Sequence, residues 1–149
     1  MRSGSLRIAA AAHDIFAYQG DALILPLLEG GEPLRGAVKT LDAALKGAIT
    51  RSLQQKGFRG KFSERCLLHP IGRLGVPQLL LVGLGKASEL TQDRVRQVTG
   101  AALRQLRALR ARKVAIACHD SVWGHLTGQT VAQAIAEGAL LGLYRFDLH

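Results

Sequence analysis

Apolar positions along the chain fall into short solid runs and longer spaced stripes, and the two kinds alternate. Leu6 to Ala12 and Asp21 to Leu28 (DALILPLL) are short runs separated by a polar turn at Gln19, Gly20 and Asp21, and they predict two strands. Pro26 assigns the second to a strand end or a sheet edge, because it cannot donate to a ladder. After a Gly- and Pro-rich stretch (EGGEPLRG, 29–36), apolar residues recur at Val38, Leu41, Leu45, Ala48, Ile49 and Leu53. That three-and-four spacing predicts one amphipathic helix, with Gly57 as its stop. Arg65 to Ile71 and Gln78 to Val82 predict two more strands, joined tightly through Gly72, Gly75 and Pro77. The second is almost wholly apolar and should be a central strand covered on both faces. Thr91 is placed to cap a helix whose stripe is Val95, Val98, Ala102, Leu106 and Leu109. Lys113 to Cys118 (KVAIAC) predicts a fifth strand, and Thr127 to Tyr144 a final helix dense in Ala and Gly.

The order β-β-α-β-β-α-β-α implies a three-layer α/β fold with a mixed, mostly parallel sheet of about five or six strands. Hairpin-like links should give antiparallel pairs and helical crossovers parallel ones. The 149 residues suit one domain, 1–149, with no internal repeat, low-complexity tract or linker. Hydrophobic residues at 48% and charged ones at 21% exclude a disordered or fibrous chain. No apolar run approaches the roughly 18 residues of a membrane span, and Ile8 to Ala12 is shorter than the ~7 to 15 residues of a secretory apolar core. Cys66 and Cys118 make no disulfide framework and are expected as reduced, buried thiols of a cytoplasmic protein.

Charge changes this picture in one place. Lys and Arg number 20 against 11 Asp and Glu, a net +9, and Arg94, Arg96, Arg104, Arg107, Arg110, Arg112 and Lys113 crowd one segment. It is either a nucleic-acid face or the solvated side of a helix. Arginine forks suit phosphate oxygens, but no aromatic accompanies them, which removes the stacking that a single-strand binder uses.

Other candidate chemistry is thinner. Val82 to Ser88 (VGLGKAS) resembles a phosphate loop, yet Leu80 and Ala87 stand where a Walker loop needs a glycine and a hydroxyl, and Ser88 stands where a dinucleotide fingerprint needs its third glycine. Gly83 and Gly85 are therefore expected to serve a tight strand-to-helix turn. Cys66 and His69, three apart on a strand, point to opposite faces and cannot chelate together. His119, Asp120 and His125 cluster after the fifth strand without a fourth ligand. No nucleophile elbow or carboxylate pair is present. The last helix carries Ala134, Gly138 and Gly142 at four-residue spacing, a groove that admits another backbone from this domain or a neighbour. Leu140, Leu141, Leu143, Tyr144 and Phe146 then crowd its end, as expected of a surface that something covers.

Five stretches carry a family resemblance in order: DALILPLLEGG (21–31), LDAALKGAI (41–49), FRGKFSE (58–64), QLLLVGLGKASELTQDRVRQVTGAA (78–102) and AQAIAEGALLGLYRFD (132–147). Together they resemble the N-terminal domain of the leucyl aminopeptidases, or cytosol aminopeptidases. The resemblance implies a macro-like fold. It also implies a parent that is a hexameric enzyme releasing N-terminal amino acids, with two divalent metals, zinc or manganese, in a separate catalytic domain. The family's Asn-Thr-Asp-Ala-Glu-Gly-Arg motif does not occur, so no catalytic or metal-binding residue carries over, and this chain alone is expected to be inactive. Its implied work is subunit assembly, with the catalytic domain and sister subunits as partners. Two alternatives remain: a DNA-binding accessory module using the Arg-rich helix, and an ADP-ribose or nucleotide pocket near Gly30, Gly31, Gly83 and Gly85.

Overall fold

Side chains alternate along each central strand between two separate cores, and this places helices on both faces of one sheet. The computed structural model describes residues 7–11, 16–30, 36–117 and 126–147, and for 7–11, 37 and 140–147 the backbone alone. The elements are β1 (Arg7–Ala11), β2 (Ala22–Leu27), α1 (Gly36–Ala44), α2 (Ala48–Gln55), β3 (Arg65–Leu68), β4 (Gln78–Gly83), a single 3-10 turn (Ala87–Glu89), α3 (Gln92–Ala108), β5 (Lys113–Ala117) and α4 (Gly128–Asp147).

The strands form one five-stranded sheet in the order β1-β5-β2-β4-β3. Among the described residues three pairings are parallel and only β3 with β4 is antiparallel, which is the mixed, mostly parallel sheet expected. Ala22, Ile24, Leu80, Val82, Val114 and Ile116 face α3 and α4. Leu23, Leu25, Leu79, Leu81, Ala115 and Ala117 face the opposite way, toward α1 and α2. Period-two alternation therefore feeds two cores from one sheet, and each fully buried Leu or Ile contributes roughly 1.5–3 kcal/mol.

Four expectations change. β1 and β2 are not a hairpin pair: they run parallel on either side of β5, which inserts between them. Of the two places expected for Pro26, the strand end holds and the edge does not: it lies in the middle strand of the sheet, one residue from the end of β2, and is tolerated because the ladder from β2 to β5 ends at Ile24, leaving β4 alone beside it. The helix predicted over Val38 to Leu53 is two helices, broken where Lys46 (φ 55°) and Gly47 (φ 82°) turn left-handed. Asp42 seals that break, its Oδ1 accepting from the N–H groups of Ile49 (2.8 Å) and Thr50 (3.2 Å) and its Oδ2 from the Thr50 hydroxyl. Leu109 is 45% exposed because it is the C-cap of α3, just before the chain turns away at Arg110 (φ 69°). The rest of that stripe is buried as expected, and the Thr91 Oγ1 accepts from the Arg94 N–H at 3.1 Å.

Candidate functional site

The glycine turn after β4 is a packing device. The N–H groups of Gly83, Leu84 and Gly85 donate to the carbonyls of Glu64 (2.8 Å), Leu27 (2.9 Å) and Gly60 (2.9 Å), so these three donors are spent on packing and do not cradle a phosphate. A Cβ on Gly83 would lie 2.0 Å from the Lys61 carbonyl oxygen, and one on Gly60 would lie 2.6 Å from that of Leu28. Both glycines exist so that residues 58–62 can lie directly across the carboxyl ends of β2 and β4. Glu64 holds this strap in place by accepting from the N–H groups of Arg59 (3.0 Å) and Lys61 (2.9 Å). The stretch FRGKFSE has this role, which only the approach of Gly60 to Leu28 and of Gly83 to Lys61 in the fold reveals. Gly30 is exposed with φ 71°, and Gly31 lies outside the described residues.

The basic segment divides into two groups. On the body of α3 the arginines are engaged: Arg94 stacks 4.7 Å over the Phe62 ring and lies 3.8 Å from Glu89. Arg96 is 3.7 Å from Asp93 and 3.4 Å from Glu137 on α4. Arg104 and Arg107 have interaction partners as well. At the C-terminal end of the helix, Arg110, Arg112 and Lys113 are exposed, and the Lys113 ammonium sits 5.7 Å over the Tyr18 ring.

Asp21 is the acid at this end, and its Oδ2 accepts from the backbone N–H groups of Arg112 (2.7 Å) and Lys113 (2.9 Å). Those two bonds, first Arg112 and then Lys113, hold its carboxyl below the ordinary carboxylate range, and the nearby positive charges add to them. Tyr18 beside it is pushed up by burial and then by the Asp21 charge, and its hydroxyl is buried without a hydrogen-bond partner.

At Ala134 and Gly138 the small-residue groove of α4 is filled from within the domain, while the surroundings of Gly142 lie outside the described residues. A Cβ on Gly138 would meet the Arg96 carbonyl oxygen at 2.4 Å and the Thr99 Cβ at 2.9 Å, so its neighbour is α3. Leu140, Leu141, Leu143, Tyr144 and Phe146 fall in the last turns of α4, and their side chains lie outside the described residues, as do Cys118, His119, Asp120 and His125. Cys66 is a free, half-buried thiol. Among the described residues no three His, Cys, Asp or Glu side chains converge so as to hold a metal ion, and they do not fit a dimetal centre.

The comparisons fit this architecture. The family model for the "Cytosol aminopeptidase family, N-terminal domain" matches residues 24–148. The chain belongs to this family. It is 30% identical over 142 residues to a probable cytosol aminopeptidase of Alkaliphilus oremlandii, covering 95% of this chain and 28% of that protein. A probable cytosol aminopeptidase of Geobacter sp. (strain M21) is 37% identical over 145 residues, covering 97% of this chain and 28% of that one. The chain thus spans under a third of the length of these curated relatives. Among solved structures, a mutant tomato leucine aminopeptidase aligns with TM-score 0.69 at 26% identity, covering 93% of this chain and 28% of that one. The macrodomain of Mycobacterium tuberculosis DarG aligns with TM-score 0.71 at 14% identity, covering 92% of both. The second likeness shows the macro-like fold alone.

Proposed function

We propose that this chain works as the non-catalytic N-terminal unit of a cytosol aminopeptidase, contributing to subunit assembly of a homo-oligomer, a hexamer by resemblance, in the cytoplasm. The observation that carries the reading is the family match over residues 24–148, reaching the last residues of α4. The parent reaction, release of N-terminal amino acids with two divalent metals, belongs to the remainder of such an enzyme. In the sequence, Leu140, Leu141, Leu143, Tyr144 and Phe146 make the end of α4 apolar in composition, which suits a subunit or domain contact. Light scattering and co-purification test this directly. The expected result is association with the catalytic portion of a related aminopeptidase, lost on Leu143→Glu plus Tyr144→Glu. A strictly monomeric chain with no affinity for that portion overturns the reading.

A second reading rests on Arg110, Arg112 and Lys113, which are exposed together at the end of α3, with the Asp21 carboxylate beside the last two. Such a group suits nucleic-acid phosphates. Binding to a generic duplex that weakens with salt and with Arg110→Glu plus Arg112→Glu supports it, and no binding at low salt removes it.

A further inference from the structure

Between the start of α2 and the link from β3 to β4 lies a cavity of about 340 Å³ whose walls are Leu45, Ala48, Leu68 and Pro70. Among the described residues its ionisable lining is of one kind: Arg51 and Arg73, with His69, and no Asp or Glu. Arg51 spends one guanidinium N–H on the Lys46 carbonyl at 2.5 Å, which fixes the group and leaves the rest of its fork available. Neither Arg51 nor Arg73 has an acidic side chain paired to it among the described residues. Ile71, also on the lining, is 86% exposed, the most exposed large apolar side chain among those described.

We infer that this cavity binds a small organic anion whose single carboxylate or phosphate head sits on an apolar body. Two guanidiniums with no opposing acid favour negative charge, and forked N–H donors suit a carboxylate or phosphate head. The four apolar walls and Ile71 would take the body of the ligand and cover the exposed isoleucine. The volume lies at the low end of small-molecule sites, which suits a branched acid and excludes a dinucleotide. A free amino acid fits poorly, because its ammonium would meet two arginines and no carboxylate. None of this depends on the assembly role, and the site lies away from both α3 and the end of α4.

The test is an amide NMR titration of the chain with 4-methylpentanoate, beside the neutral 4-methylpentanamide, 3-methylbutyl phosphate and acetate. The expected result is saturable shifts at Ala48, Arg51, His69, Ile71 and Arg73 with the branched anions and none with the amide. Of these anions, the tighter binder identifies the head. Arg73→Gln should weaken binding about tenfold, the effect of one charge-assisted hydrogen bond, while Lys39→Gln, removing the same charge elsewhere, should leave it unchanged. Equal binding of acid and amide, no shifts at millimolar ligand, or affinity unchanged in both Arg73→Gln and Arg51→Gln would each overturn the site. Acetate binding as tightly as 4-methylpentanoate would overturn the apolar half of the proposal.

Discussion

The two faces of the sheet bury similar apolar side chains but are held to their helices by different means. On one face, α3 and α4 are long and approach until backbone nearly meets backbone at Gly138. On the other, α1 and α2 are short, broken at Gly47, and depend on Asp42 to seal the break. The first layer should therefore be sensitive to atoms added and the second to polar atoms removed. Burial alone should not tell them apart.

The largest effects test that last point. Leu103, 1% exposed on α3, and Leu41, 0% exposed on α1, are equivalent by burial. Leu103→Ala and Leu41→Ala should each cost about 2–5 kcal/mol in urea unfolding with similar slopes. A loss at Leu41 well below that range would mean that the shorter layer collapses around the cavity, and would make the two faces unequal in packing as well.

Gly138→Ala comes next and decides the close approach. In an ordinary helix interior this change stabilises by about 1 kcal/mol. Here the new Cβ would sit 2.4 Å from the Arg96 carbonyl oxygen, which is backbone and cannot swing aside, so a loss of about 1–3 kcal/mol is expected. Gly100→Ala across the interface meets its nearest atom, the Gly138 carbonyl oxygen, at 3.2 Å and should do much less. A stabilised Gly138→Ala would remove the distinction between the faces.

For the other layer the matching change is Asp42→Ala, which strips two backbone N–H groups at the start of α2 of their acceptor. A loss of about 1–2 kcal/mol in thermal or urea unfolding is expected, with Asp42→Asn milder because an amide oxygen still accepts. If both substitutions are silent, α2 is held by Ile49 and Leu53 alone and the cap is incidental.

What the residues reveal in advance follows the same division. The α3 stripe, its Thr91 cap and the apolar β4 are legible because each is a local pattern with one physical reading. The small-residue spacing of Ala134 and Gly138 announces a close neighbour without saying which, since α3 and another domain demand the same absence of side chain. The split at Gly47 is hidden because Val38 to Leu53 keeps its helical spacing across the break, so periodicity sees one helix where Lys46 and Gly47 turn left-handed. The place of β1 is hidden for another reason: β5, distant in sequence, inserts between β1 and β2. Arg51 and Arg73 share a cavity only because the start of α2 meets the end of β3, and no spacing in the chain encodes that.

The smallest expected effect concerns Asp21, which does for the sheet what Asp42 does for α1 and α2: one carboxylate holds two backbone N–H groups and ties the start of β2 to the start of β5. Its pKa is lowered in the folded chain, so the folded state favours the ionised form. That contribution is fully present above the ordinary carboxylate pKa of about 3.9 and is lost as pH falls through the lower folded value. Asp21 lies near the surface, so solvent screening keeps the effect small. Asp21→Asn should lower stability slightly at about pH 6, and its difference from the parent should shrink toward about pH 3. No difference at either pH would show that the N–H groups need an acceptor and not a charge. The Asp21 carboxylate bonds to Arg112 and Lys113, outside α1 to α4, so its loss should add to that of Gly138→Ala and to that of Asp42→Ala without coupling. Coupling to only one of them would show which layer the sheet relies on at this end.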